Sequence, residues 1–267
     1  VGARASWALN FVSLIAFVIS NFIEYALFIS ALMITFKASN DASIINGASI
    51  KIGKELLKES WPIIISGVGT YLYWKSDVLI LQALIGSGAV GVYSAATSLS
   101  QLPTNIPTII MISLLPYLSK LNGENHQEFN NLFEKIIRAG WLASVAIAAL
   151  IFAFSGRVIH VIYGDSYIES IDILKVHIFS IIPITMGIIS SAWITVNRKT
   201  HYFLFKVAIG AIFCPIANIL LIGKYGVVGA AWSALATLII VDLLIVRVID
   251  KDLFLKIFRM PNVSKQS

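Results

Sequence analysis

Charge is scarce in this chain: Asp, Glu, Lys and Arg make up 13% of 267 residues, against 58% hydrophobic, and mean hydropathy is +0.85. A soluble domain carries nearer about 25% charged residues. So much apolar sequence cannot be hidden inside one soluble globule of this size. Cysteine is almost absent. Cys214 stands alone, so no intrachain disulfide and no cysteine-based metal site can form. Histidine is equally sparse, and His126, His160, His177 and His201 show no metal-ligand spacing. Structural or solvated roles are expected for all of them. There is no Ser/His/Asp constellation, no H-E-x-x-H and no carboxylate pair placed on one aqueous face. The expectation is a protein that is not an enzyme and uses no cofactor or metal. The net charge of +6 does not form a basic stripe interleaved with aromatics, so a nucleic-acid partner is not expected.

What the chain does have is seven long apolar stretches, near residues 9–36, 61–84, 91–115, 139–154, 171–196, 202–222 and 226–248. About 20 apolar residues cross a hydrocarbon core of ~30 Å. The fourth stretch is the shortest. The fold class predicted is all-α: a polytopic membrane protein with about seven transmembrane helices. Its function must lie in or across the bilayer.

Positive charge sets the orientation, because loops rich in Lys and Arg stay cytoplasmic. Taken alternately, one set of gaps holds Lys37, Lys51, Lys54, Lys58, Lys120, Lys135, Arg138, Arg198 and Lys199, and with them the tail residues Lys251, Lys256, Arg259 and Lys265. The other set holds only Arg4, Arg157 and Lys224. The first set is therefore read as cytoplasmic, with the C-terminus inside. Lys175, Lys206 and Arg247 lie near span ends, where long side chains can snorkel to the headgroups. The opening Val1-Gly2-Ala3-Arg4 has no initiator Met and no basic region leading to a cleavage site. It predicts a chain that begins inside a longer one, and an odd number of preceding helices would restore a cytoplasmic N-terminus.

Two cytoplasmic connections are long. Residues 37–60 end in the run Lys51-Ile52-Gly53-Lys54-Glu55-Leu56-Leu57-Lys58 and enter the next span through Trp61-Pro62. Pro suits a first helical turn and Trp the interface, making this the best internal boundary. Residues 120–138 carry Phe129, Leu132, Phe133, Ile136 and Ile137 at helical spacing. Asn125 and Glu128 before them resemble a capping box. The segment reads as an amphipathic helix, either on the inner membrane surface or packed on the protein's own cytoplasmic face. Residues 157–163 look like a shorter version outside. Small residues recur at Gly140, Ser144 and Ala148, and at Gly226, Ala230 and Ala234. Such faces allow close helix approach in lipid. Pro103, Pro107, Pro183 and Pro215 fall inside spans, as in the broken helices that line transporter cavities. Gly86-Ser-Gly88-Ala-Val-Gly91 matches G-x-G-x-x-G, but no soluble βαβ unit surrounds it. A tight outer turn explains it better.

Charges inside spans cost roughly 2.5–3.5 kcal/mol at a helix centre on insertion scales, so they face a bundle interior or a cavity. Glu24 lies near the middle of span one, Lys75 and Asp77 in the outer half of span two, and Asp242 in the inner part of span seven. Lys75 and Asp77, two residues apart, point to nearly opposite helix faces and are not expected to pair with each other. Each needs a partner on another helix, or water. Structural ion pairs and pathway roles both remain open for these four.

From Trp61 onward the sequence resembles the C-terminal half of a Wzx-type polysaccharide or O-antigen flippase of the multidrug/oligosaccharidyl-lipid/polysaccharide (MOP) exporter superfamily. The resemblance rests on Trp61-Pro-Ile-Ile-Ile-Ser-Gly67, Lys75-Ser-Asp77-Val-Leu-Ile-Leu81 and Val90-Gly91-Val-Tyr93-Ser-Ala-Ala96. It continues in Leu115-Pro116-Tyr-Leu-Ser-Lys120, Ile162-Tyr163-Gly164-Asp165-Ser-Tyr167 and Tyr225-Gly226-Val-Val-Gly229-Ala-Ala231. Each motif is short, and the six stand in the family's order. The resemblance implies four regions. Residues 1–36 would be the last helix of a first lobe, and 37–60 a basic inter-lobe loop. A six-helix lobe over 61–250 and a basic cytoplasmic tail over 251–267 would follow.

The activity implied is movement of an undecaprenyl-pyrophosphate-linked oligosaccharide from the inner to the outer leaflet of the bacterial plasma membrane. The implied partners are the lipid-linked oligosaccharide, the bilayer and other polysaccharide assembly proteins. Lys75 would then bind the substrate headgroup. Glu24, Asp77 and Asp242 are the candidates for ion coupling. A drug/cation antiporter or a peptidoglycan-precursor flippase of the same superfamily is the alternative. A carboxylate-rich cavity would mark the first of these, and a net positive one a lipid-pyrophosphate flippase. A membrane-embedded glycan polymerase fits less well, because residues 155–170, the longest outer gap, hold one Arg, one His and two acids by side-chain type near Arg157, His160, Asp165 and Glu169.

Overall fold

The computed structural model describes residues 19, 22–32, 34, 50–199 and 201–244. The chain divides into two compact units, Val1–Glu59 and Ser60–Ser267. In the first, the helix Phe22–Leu32 (α1) exposes its large apolar side chains, and Glu24 on it is also exposed. The rest of the inter-lobe loop before Ile50, and the tail 251–267, lie outside the described residues.

From Ile50, in the last residues of the first unit, onward every described element is helical, and no strand occurs among the described residues. The helices in order are Ile50–Leu84 (α2), Ser87–Gln101 (α3), Asn105–Glu124 (α4), His126–Tyr163 (α5), Ser170–His177 (α6), Ile181–Val196 (α7) and His201–Leu238 (α8). A π-helical turn, Ile239–Leu244, closes the series. Among the described residues, four stretches are long and apolar enough to cross a bilayer: Ser87–Glu124, His126–Tyr163, Ser170–Val196 and Tyr202–Leu244. Large apolar side chains such as Leu142 and Val161 are 74% and 75% exposed, the inverse of a soluble surface and suited to lipid contact.

Proline explains the breaks within two of these stretches. Pro cannot donate to the carbonyl four residues back and clashes with it. Pro103 lies in the 3₁₀ turn Leu102–Thr104 between α3 and α4, and Pro107 in the first turn of α4. Pro183 follows the 3₁₀ turn Ile178–Ser180 between α6 and α7. The combined α6–α7 segment is the most enclosed helix, with 72% of its apolar window buried.

The expected fourth span is longer than its apolar stretch suggested. α5 runs unbroken for 38 residues, about 57 Å at 1.5 Å per residue. It joins the amphipathic segment, the span and residues 157–163 into one helix. The Asn125 side chain accepts from the Glu128 amide at 3.1 Å and caps it. Phe129, Phe133 and Ile137 are buried in a core with Met111, Leu118 and Met186. The amphipathic stripe therefore packs on the protein, because its deep apolar face has α4 and α7 to cover it. Gly140 belongs to the small-residue face, and a Cβ there would press on Ile189, Met186 and Thr185 of α7. That is the close approach the spacing predicted.

Spans six and seven form a hairpin. Gly226 sits within α8 at φ 60° and ψ −141°, a conformation outside the helix region. Residues on either side of it meet in pairs. The Ser233 hydroxyl donates to the Cys214 carbonyl at 3.5 Å, and a Cβ on Gly210 would touch Val241. The two limbs of α8 are therefore antiparallel. Two other glycines take positive φ where helices meet: Gly86 at 114°, between α2 and α3, and Gly164 at 76°, ending α5. The Gly-rich segment at 86–91 reads as a tight turn in the sequence, but only Gly86 lies in the turn; Gly88 and Gly91 belong to the start of α3.

Candidate functional site

A cavity of about 800 Å³ opens in the second unit, walled by α2, α3, α4, α7, the first limb of α8 and the π-helical turn. Its lining alternates in character. Gln101, Asn105, Thr108, Ser191 and Thr195 supply neutral polar groups, while Trp74, Phe203, Ile184 and Leu115 supply apolar surface. Two charged residues reach it, Lys206 and Asp242. Their side chains meet at 2.8 Å and are 8% and 14% exposed. In this unit the cavity lining therefore carries one charge of each sign.

The hairpin at Gly226 creates that pair. Lys206 lies twenty positions before the turn and Asp242 sixteen after it, on facing limbs. Two further features place the carboxylate. The π-helical turn changes the register of the chain at Asp242. Gly187 on α7 lies so close that a Cβ on it would overlap the Asp242 carboxylate. No residue larger than glycine leaves that space.

Asp77 lies elsewhere. Its carboxylate accepts a hydrogen bond from the Tyr93 hydroxyl and another, at 2.8 Å, from the Val78 amide. Two motifs distant in sequence, around Lys75-Ser-Asp77 and Val90-Gly91-Val-Tyr93, are thereby joined. Tyr93 is buried and packs edge-on against His177, whose Nδ1 pairs with the Ser100 hydroxyl at 2.7 Å. The adjacent Ser76 bonds Cys214 at 3.1 Å and accepts from the Asn218 amide at 3.3 Å. A small cavity of about 40 Å³ touches Asp77, His177, Cys214 and Thr237. It shares Tyr73, Trp74, Gln101 and Ile184 with the large cavity, so one wall separates the two. A hydrogen bond to a charged group is worth about 1.5–3 kcal/mol, and leaving a buried partner unsatisfied costs a comparable amount. Tyr93→Phe is therefore expected to lower stability by about 2 kcal/mol, measured as a fall in thermal unfolding temperature in detergent. Unchanged unfolding would mean that water replaces the phenol.

The four charged residues singled out in the sequence have separate fates. Asp77 gains Tyr93, and Asp242 gains Lys206. Lys75 is exposed and is not among the residues lining the large cavity, and Glu24 belongs to the first unit. Sequence reasoning treated Lys206 as a snorkelling residue and overlooked Tyr93 and Gly187. The short Gly223-Lys224-Tyr225-Gly226 gap was the available signal. It makes spans six and seven antiparallel neighbours, and so brings together a lysine and an aspartate that lie at similar distances from the turn, toward the open end of the hairpin.

A sequence profile of the family described as "Polysaccharide biosynthesis protein" matches residues 3–172. A protein of Shigella dysenteriae named as an O-antigen transporter is 27% identical over 192 residues, 71% of this chain and 46% of the relative. One of Haloferax volcanii named as a low-salt glycan biosynthesis flippase, Agl15, is 21% identical over 184 residues, 68% of this chain and 39% of the relative. This chain thus spans less than half the length of either. A solved MOP superfamily transporter from Pyrococcus furiosus Vc1 (DSM3638) superposes with a TM-score of 0.62 at 14% identity, over 72% of this chain and 44% of the other. That likeness establishes the fold of the superfamily.

Proposed function

This chain belongs to the polysaccharide biosynthesis protein family, and from that premise we propose that it forms part of a flippase for lipid-linked oligosaccharides. The cargo would be an undecaprenyl-pyrophosphate-linked repeat unit, carried from the inner to the outer leaflet of a bacterial plasma membrane. Such a cargo has an anionic headgroup and a polar glycan that cannot cross hydrocarbon unaided. The observation that carries the reading is the large cavity, lined by the neutral polar groups of Gln101, Asn105, Thr108 and Ser191 together with the Lys206–Asp242 pair, so that its lining is neither carboxylate-rich nor net positive but does hold a cation. The names of the two relatives, transporter and flippase, support it and favour transport over enzyme chemistry.

Lys206 is assigned the headgroup contact ahead of Lys75, because Lys206 lines the cavity and Lys75 does not. With the cytoplasmic orientation read from the Lys and Arg distribution, Lys206 lies toward the inner leaflet, where cargo would load. Asp77 stays a candidate for ion coupling, one wall away in its small chamber with Tyr93. Glu24 is a weaker candidate, exposed on α1. A cation antiporter is the second reading, and Asp242 in the cavity wall is the observation in its favour.

The test is reconstitution of the intact protein in proteoliposomes with a fluorescent polyprenyl-pyrophosphate glycan. Protection of the label from an external quencher, followed over time under a proton or sodium gradient, reports flipping. Flipping of the glycan lipid with no uptake of a lipophilic cation is expected. Cation uptake without glycan flipping would replace this reading by the antiporter.

A further inference from the structure

The hydroxyls that line the large cavity share a property that its two charges do not explain. Thr104, at the turn into α4, donates to the Gln101 carbonyl at 2.6 Å, and Thr108 on α4 donates to the Thr104 carbonyl at 2.9 Å. On α7, Ser191 donates to the Gly187 carbonyl at 2.7 Å and Thr195 to the Ser191 carbonyl at 2.8 Å. A hydroxyl has one hydrogen and two lone pairs. With the hydrogen spent on its own helix, each oxygen meets the cavity as an acceptor. We propose that these four oxygens and the indole of Trp74 form a saccharide subsite, which takes an uncharged, hydroxyl-rich sugar of the cargo and rejects an acidic one. This deepens the flippase reading and rests on it.

The balance of donors and acceptors decides the class of ligand. Every sugar hydroxyl can donate, so a neutral ring has a partner at each of these oxygens. A carboxylate or phosphate oxygen only accepts, and against the same wall it sets lone pair on lone pair. Donors in the lining are few. Asn105 spends one of its two N–H groups on the Leu102 carbonyl at 3.2 Å, and the Lys206 ammonium holds Asp242 at 2.8 Å. Among the described lining residues Lys206 is the one cation. An anionic headgroup has its contact there, and the acceptor wall is left for the sugar. A site built to bond hydroxyls discriminates strongly, because a ligand without them leaves its polar groups unpaired.

Trp74 supplies the apolar half of such a site. It lies on α2 one turn after Thr70, which also lines the cavity, and it is 46% exposed. The face of an aromatic ring carries the negative lobe of its quadrupole. The C–H groups on one face of a pyranose are apolar and weakly positive, and they fit against it. The acceptors stand on α4 and α7 and the indole on α2, all around one cavity of about 800 Å³. Stacking and hydrogen bonding therefore come from different helices. Aromatic surface with a few convergent polar groups is the usual make-up of a small-molecule site.

The experiment is isothermal titration calorimetry of the intact protein in lipid nanodiscs with three probes. They are farnesyl pyrophosphate, its ester with a neutral glucose disaccharide, and the same ester with the sugar hydroxymethyl groups oxidised to carboxylates. The farnesyl chain is common to all, so its partition into lipid cancels. The neutral sugar is expected to tighten binding roughly tenfold over farnesyl pyrophosphate, and the acidic sugar to give no gain. Trp74→Ala should bind the bare and neutral probes alike, while Trp74→Tyr, which keeps an aromatic face, retains the gain. Trp74→Leu takes its place if the Ala variant does not accumulate. Thr108→Val, which removes one acceptor at nearly the same shape, should retain only part of the gain. Each result is a ratio of two probes on one protein, which a merely structural role would not move. Wild type binding the bare and neutral probes alike, or Trp74→Ala keeping the whole gain, overturns the subsite and leaves the flippase reading standing. Tighter binding of the acidic probe than of the neutral one overturns the class of sugar, and the proposal with it. Wild type binding none of the three overturns the flippase reading, and the subsite falls with it.

Discussion

Lys206→Ala is expected to abolish flipping and also to destabilise the protein, whereas the double variant Lys206→Ala/Asp242→Ala should recover stability without recovering transport. The two effects have different causes. Truncating one member of a buried ion pair leaves the other uncompensated, at a cost of about 3–5 kcal/mol, while removing both is often close to neutral. The side chains are 8% and 14% exposed, so solvent screening relieves little of this. Transport behaves otherwise because the cavity lining then holds no cation from this unit. Thermal unfolding in detergent and glycan flipping in proteoliposomes, measured on all three proteins, separate the roles. A double variant that flips at the wild-type rate would reduce the pair to a structural contact between the limbs of α8.

The second large effect concerns the turn that makes the pair possible. Gly229→Val should leave no folded protein, and Gly226→Ala should lower the unfolding temperature markedly. A Cβ on Gly229 would overlap the carbonyl of Leu221, and what lies there is backbone, which cannot rotate aside. Overpacking commonly costs about 1–3 kcal/mol and more when the neighbour cannot yield. Gly226 sits at φ 60° and ψ −141°, a conformation that costs a residue with a side chain about 1–3 kcal/mol. Both changes splay the limbs of α8 and so separate Lys206 from Asp242. Retention of monodisperse, cooperatively unfolding protein by Gly229→Val would show that the hairpin opens without harm. The same glycines form the Tyr225-Gly226-Val-Val-Gly229 motif that the resemblance quoted. One makes the turn, and the other allows the limbs to touch beside it.

Side-chain partners were less legible than spans. Asp77 and Asp242 could be recognised from sequence as needing partners, since a charge among apolar residues is costly. Which partner each found depended on packing between helices far apart in the chain. Asp77 met Tyr93 because α2 and α3 turn back on each other at Gly86, a distance of 16 residues. Lys206 looked like a residue at a span end, free to snorkel, because linear position says nothing of which way a helix faces. Gly187 gave no signal at all. Its requirement comes from a carboxylate 55 positions later, which only packing brings close. The amphipathic stripe of Phe129, Phe133 and Ile137 was visible as a stripe, but the same periodicity serves a lipid surface and a protein surface.

The sequence by itself determined that this is a helical membrane protein, because hydrophobic length and scarcity of charge act locally and leave a soluble fold no way to form. Proline and glycine marked some of the breaks, at Pro103, Gly86, Gly164 and Gly226, while Pro116 and Pro215 stand inside continuous helices. Only the tertiary structure decided which polar groups share a wall, because in a bundle the facing of each helix is set by packing with its neighbours. It turned one lysine and one aspartate, unremarked as a pair in the sequence, into the charged site of the cavity.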